Sequence, residues 1–110
     1  MNKYVKFLEI KLHLDNAFTK KYGVDQRSIK LLESIAIAEL NSSPMMVSQL
    51  MHEGQFGSPA TIHRSLSTLR DSNLLVFVHQ GTDLKTKYPS LTQESKEHLD
   101  NVFRVFLSCK

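Results

Sequence analysis

Apolar residues recur at spacings of three and four along most of this chain, and that period predicts helices. Over residues 3–20, Phe7, Ile10, Leu14, Ala17 and Phe18 mark one stripe, and Val5, Leu8 and Leu12 mark a second. They leave only a narrow polar face of Lys6, Glu9, Lys11 and Asp15. An apolar surface that wide predicts burial against a second copy of the chain; the alternative is a helix well wrapped by its own domain. Gly23 interrupts the pattern, and Asp25 or Ser28 can cap a second helix. That helix is predicted to run to about Leu40, with Ile29, Leu32, Ile35, Ala36 and Leu40 at helical spacing. Asn41-Ser-Ser-Pro44 ends it. Met45 and Met46 predict a short extended segment, and residues 47–53 a short helix with Val47, Leu50 and Met51 inward.

Residues 58–71 carry the strongest helix start. Ser58 suits the N-cap, because its hydroxyl can accept a free backbone N–H of the first turn. Pro59 follows where a missing donor costs nothing. Ile62, Leu66 and Leu69 form the apolar stripe. At about 100° per residue, Arg64 and Thr68 are predicted nearly opposite it, with Ala60 and Thr61 beside them. That outer face is small, hydroxylated and basic, with no acid before Asp71. It suits a helix that enters a groove and approaches phosphates; a merely solvated helix would look the same, and the flanking segments decide between them. Gly54-Gln-Phe-Gly57 joins residues 47–53 to this helix by a tight turn. Two short helices across such a turn have helix-turn-helix spacing, in which the second is presented to DNA.

Beyond Asn73 the period changes. Leu74-Leu-Val-Phe-Val78 reads as a strand, Gln80 to Lys85 as a turn, and Thr86-Lys-Tyr88 as a returning strand with Leu91 at its end. A hairpin with a polar, basic tip directly after a presented helix is a wing. Pro89 is predicted on an edge, its missing donor facing solvent. Thr92 caps a last helix to about Cys109, striped by Leu99, Val102, Phe103 and Phe106 and widened by Val105 and Leu107. The predicted fold is mainly α with a small β-hairpin: a winged helix-turn-helix in one domain, 1–110. Residues 25–91 form the DNA-binding lobe, and 1–22 with 93–110 form a dimer layer.

Composition narrows the function. The 110 residues suit one domain, and an apolar fraction of 41% is that of a folded protein. A net charge of +3 favours a polyanionic partner without demanding one. A single cysteine, Cys109, excludes an internal disulfide framework and points to a reducing cytoplasm. Lys6, Glu9 and Lys11 interrupt the apolar run a secretion signal needs, and no window approaches the roughly 20 apolar residues of a membrane span. His13, His52, His63, His79 and His98 are scattered, with no His-x-x-x-His, Cys-x-x-Cys or His-Glu-x-x-His spacing. Neither an enzyme nor a bound metal or cofactor is expected; the histidines are expected at the surface or satisfied within the fold. Met45, Met46 and Met51 suit core filling first and the lining of an effector pocket second.

The order of these elements resembles the winged-helix transcription regulators, and the MarR (multiple antibiotic resistance regulator) family above all. Val47-Ser-Gln-Leu50 resembles that family's first helix of the DNA-binding pair, and Gly57-Ser-Pro-Ala-Thr-Ile-His-Arg64 its recognition helix. Asp83-Leu-Lys85 followed by Leu91-Thr92 resembles its wing. The chain departs from the family at Lys85, where an arginine is usual, at Met46, where a hydroxyl cap is frequent, and at Ser95, where a glycine is usual. The resemblance implies a homodimer on double-stranded DNA and a small-molecule effector. Thr61, Arg64 and Thr68 are expected at base edges, with Arg64 suited to guanine O6 and N7. Ser58 would contact phosphate at the helix N-terminus, and Ser48 and Gln49 would brace the backbone. Lys85 and Lys87 would reach phosphates or the minor groove, and Ser67 and His63 lie beside the reading face. For His63, phosphate contact and simple exposure are equally open. The alternative is a winged-helix module that binds protein instead; it calls for exposed aromatics, and Phe56 is the one candidate.

Overall fold

The structure, a computed structural model, describes residues 2–52, 56–79 and 86–109. Five helices and a hairpin follow in order: α1 (Lys3–Tyr22), α2 (Gln26–Leu40), α3 (Val47–His52), α4 (Pro59–Asp71), β1 (Leu75–Val78), β2 (Tyr88–Leu91) and α5 (Gln93–Ser108). Caps set the boundaries. Asp25, rather than Ser28, caps α2, its carboxylate accepting the Ser28 N–H at 2.8 Å. Thr92 caps α5 through the Ser95 N–H. Gly23 closes α1 in the left-handed conformation a C-cap needs.

The core is built around α2. Ile29, Leu31, Leu32 and Ile35 are buried there against Ile62, Leu66 and Leu69 of α4, Leu50 of α3, and Leu75 and Leu91 of the hairpin. Leu40, expected inward, is 77% exposed, and Leu31 is buried in the core. Leu40 ends its helix beyond the core, and the neighbouring Glu39 turns to the wing instead. Its carboxylate accepts the Ser90 hydroxyl and, at 3.3 Å, the Leu91 N–H.

The strands pair antiparallel with Leu75 opposite Leu91 and Phe77 opposite Pro89. β2 begins at Tyr88, not Thr86. Met45 and Met46 form no strand; one backbone bond, Val47 N–H to the Lys87 carbonyl at 3.0 Å, joins this segment to the base of the wing. Two residues between Pro44 and the start of α3 are too few for a ladder. Pro89 costs the sheet nothing: the Leu91 N–H points off β1 toward Glu39, and alternation puts residue 89 on the same side. Its ring is buried.

The ends of the elements are tied by side chains. The buried Ser95 hydroxyl donates to the Leu74 carbonyl, and the Ser72 hydroxyl donates to the Tyr22 carbonyl at 3.1 Å. The helical layer of α1 and α5 therefore starts from fixed points on the lobe. Beyond them α1 is thinly covered: of its 20 residues only Asp15 and Phe18 are buried. The molecule is 52 Å long and 26 Å wide, and its radius of gyration of 14.9 Å exceeds the roughly 13 Å of a compact chain this size.

Asp15, placed by its charge on a polar face, is buried where α1, α2 and α5 meet. Lys11 lies 2.8 Å from its carboxylate and 3.8 Å from Glu33, and His98 Nε2 lies 3.6 Å away. The Phe18 ring stacks on His98 at 4.0 Å. Burial holds the His98 pKa below its usual 6.5, against the opposing pull of Asp15 and Glu33. Burial also works against the charge of Lys11, but the hydrogen bond to Asp15 and the charge of Glu33 prevail and raise its pKa. An unfolded chain therefore takes up a proton at His98 before the folded one does. The part of the stability set by His98 is expected to be level above about pH 6.5 and to fall as pH drops below it. Urea midpoints at pH 7 and pH 5 check this, and His98→Gln should flatten the slope between them.

Candidate nucleic-acid interface

The approach to α4 is set by Gly57, whose φ is +125°. A Cβ there would come within 3.3 Å of Thr61 Cγ2, so glycine fits both the backbone and the space. Ser58 then caps the helix as its sequence implied. Its Oγ accepts the Thr61 N–H at 3.3 Å and shares a hydrogen bond with Thr61 Oγ1 at 3.0 Å. The helix packs on α2, α3 and β1.

The buried side of α4 is wider than its leucines suggest, because Ser65 is buried with Ile62, Leu66 and Leu69. The exposed positions of its first two turns are Ala60, His63 and Arg64, with Pro59 at the start. Thr68, expected opposite the apolar stripe, instead lies half-buried on the flank with Thr61, and its hydroxyl donates to the Arg64 carbonyl at 2.9 Å. Ser67 is half-buried as well. His63 and Arg64 thus remain the outward polar groups of this face, and Arg64 makes no ion pair among the described residues.

On α3, Ser48 is exposed. Gln49 is exposed too, but its Oε1 accepts the Met46 N–H at 2.8 Å. This is the return half of a capping box, made where Met46 offers no hydroxyl. Only the amide NH2 of Gln49 is left for a backbone contact. Lys87 is exposed at the base of the wing, while Lys85, the wing tip and Gly54 lie outside the described residues. A cleft of about 230 Å³ between α3 and the wing base is lined by Met46, Val47, Ser48, Met51, Thr86 and Lys87. Met45 and Met51 also pack on the core. Core filling, the first expectation for these methionines, thus holds for Met45 and Met51, while Met46 and Met51 line the cleft. Phe56, the candidate for a protein-binding face, is half-buried and packs on the core. Among the described residues no three His, Cys, Asp or Glu side chains are grouped so that they could hold a metal ion.

The periodicity gave no sign that the start of α2 borders the same surface. Arg27 and Asp25 line a hollow of about 210 Å³ with Thr61, Arg64, Ser65 and Thr68. The hydrogen bond from Ser28 lowers the Asp25 pKa, and the nearby Arg27 adds to the shift. Glu39, which ties the wing to α2, was also unmarked.

Two consecutive helices, the second entered through Gly57 and carrying its polar side outward, followed by a paired hairpin, make this a winged helix-turn-helix protein. Two solved structures share the fold. YusO from Bacillus subtilis superposes with a TM-score of 0.60 at 22% identity, over 91% of this chain and 74% of that one. The disulfide-formed AbfR gives a TM-score of 0.58 at 17% identity, over 93% of this chain and 66% of that one, so this chain spans just under two thirds of AbfR's length. No protein-family model and no curated protein sequence matches the chain. Among the described residues no helix is long and apolar enough to cross a membrane.

Proposed function

We propose that this protein binds double-stranded DNA as a homodimeric transcription regulator of MarR-like type, acting in the cytoplasm. One observation carries the reading: the whole apolar side of α4 is used by its own core, while Ala60, His63 and Arg64 are left outward on a small, uncluttered surface. In this reading α4 enters the major groove with Arg64 on guanine, and its capped N-terminus meets a phosphate with free N–H donors and the positive end of the helix dipole. Ser48 and Gln49 brace the backbone, the wing lysines Lys85 and Lys87 reach phosphate or minor groove, and Thr61, Ser67 and Thr68 line the edge of the reading face.

The exposed apolar side chains of α1 and α5 support the dimer. Tyr4, Leu8 and Leu12 on one helix and Phe103, Phe106 and Leu107 on the other are exposed in the protomer. Exposed apolar surface on this scale mostly marks an interface. A two-fold partner covers the same surface on both copies.

Arg64→Ala tests the reading of α4. The substitution is expected to cost about 1–3 kcal/mol on the best duplex and to relax discrimination at one base pair. Fluorescence anisotropy against a set of single-base variants of a selected site measures both. Unchanged affinity and an unchanged base preference would remove Arg64 from the interface.

A further inference from the structure

We propose that Arg27 and Lys30, in the first turns of α2, form a second phosphate contact that clamps the same duplex beside α4. The proposal rests on α4 being the helix that meets DNA. Its basis is an open hollow of about 410 Å³ lined by Gln26, Arg27, Lys30, Phe56 and Gly57. Gly57 stands directly ahead of the Ser58 cap, so the hollow opens next to the start of α4. Arg27 also lines the neighbouring hollow that holds Arg64, Thr61 and Thr68. It thus bridges the turn before α4 and the flank of the reading face.

The two cations are three residues apart, which puts them on one side of α2. Both are exposed, and neither makes an ion pair among the described residues. Among the described residues, Asp25 is the one acid that lines either hollow; its carboxylate is turned to the Ser28 N–H with Arg27 nearby. Arg27, Lys30 and Arg64 therefore outweigh it, and the surface is net cationic. Arg27 supplies the planar fork that fits two phosphate oxygens, and Lys30 a point charge at the rim. Because α2 is the helix on which the core is built, a contact there would fix the angle at which α4 sits in the groove. Such contacts position a protein on DNA without reading bases.

The test is the full-length double variant Arg27→Gln, Lys30→Gln, titrated against a selected duplex and a scrambled one over a salt series. Both side chains are exposed, and circular dichroism confirms that the variant folds. Each phosphate contact contributes about 0.9 to the slope of log affinity against log salt, so the slope should fall by about two. Affinity should drop on the order of tenfold on both duplexes alike, with the preference between them kept. An unchanged slope with wild-type affinity would overturn the clamp and leave α4 as the DNA-contacting helix. A loss confined to the selected duplex would overturn it too, since that is the mark of a base contact. Failure of the wild type to hold any duplex would sink the clamp and the DNA-binding reading together.

Discussion

Leu66→Ala is expected to remove about 2–5 kcal/mol of folding stability, the usual cost of deleting a buried leucine's side chain and leaving part of the cavity empty. Leu66 is 1% exposed and sits mid-helix in α4, where Ile62 and Leu69 flank it on the same stripe. The surrounding groups come from several elements: α2, α3 and the hairpin all contribute buried side chains to the one core. Collapse onto the gap would have to move several of them at once, so the upper part of that range is expected. A small domain has only about 5–15 kcal/mol in total, so the loss is a large share of what holds the lobe together. Urea unfolding followed by far-ultraviolet circular dichroism should show a lower midpoint with an unchanged slope. DNA binding should fail at temperatures where the wild type still binds. A shift below about 1 kcal/mol would mean that α4 is not packed through this face, and the outward surface built on that packing would be wrong as well.

Phe103→Glu should separate the two protomers while leaving each one folded. Phe103 is 57% exposed, so the protomer loses little when it is replaced. In a dimer covered by α1 and α5 the same position is central, with Phe106 stacked 6.4 Å from it and Phe7 edge-on to Phe106 at 5.6 Å. Aromatic anchors at such a centre commonly contribute about 2 kcal/mol or more, and a buried unpaired carboxylate adds a further penalty. A weakening of at least about thirtyfold in the dimer dissociation constant is expected. Sedimentation equilibrium gives the constant directly, and thermal melting at a protein concentration where the wild type is monomeric shows that the protomer still folds. A variant that stays as dimeric as the wild type would place the interface elsewhere, and a wild type that is monomeric at high micromolar concentration would remove the dimer.

Much of this fold could be read from the chain. The caps Asp25, Ser58 and Thr92, the apolar spacing of α2, α4 and α5, and the β-branched run after Asn73 each depend on neighbours close in sequence. What escaped depended on neighbours far away. Asp15 looks like a surface acid until three helices converge on it and Lys11 and His98 surround it. Thr68 looks outward until Ser65 proves buried, which rotates the covered side of α4 by part of a turn. Leu40 fits the period of α2 but falls past the end of the core. For the candidate interface, helical spacing shows which residues share a face, and Arg64 was placed outward on that basis, with His63 on the flank. It does not show which other element borders that face. Arg27 and Lys30 adjoin the start of α4 only through the packing of α2 against it, and Gln49 was given to DNA although its oxygen completes the cap of α3.

The most direct measurement is selection of bound duplexes from a random pool by the folded wild-type protein at about 50 mM salt, followed by footprinting of the winners. The expected result is a site with two-fold symmetry, its half-sites about one helical turn apart, each protected in the major groove where α4 docks. A folded protein that retains no duplex above background, or protects no major-groove segment, would contradict the reading of α4 as a DNA-contacting helix.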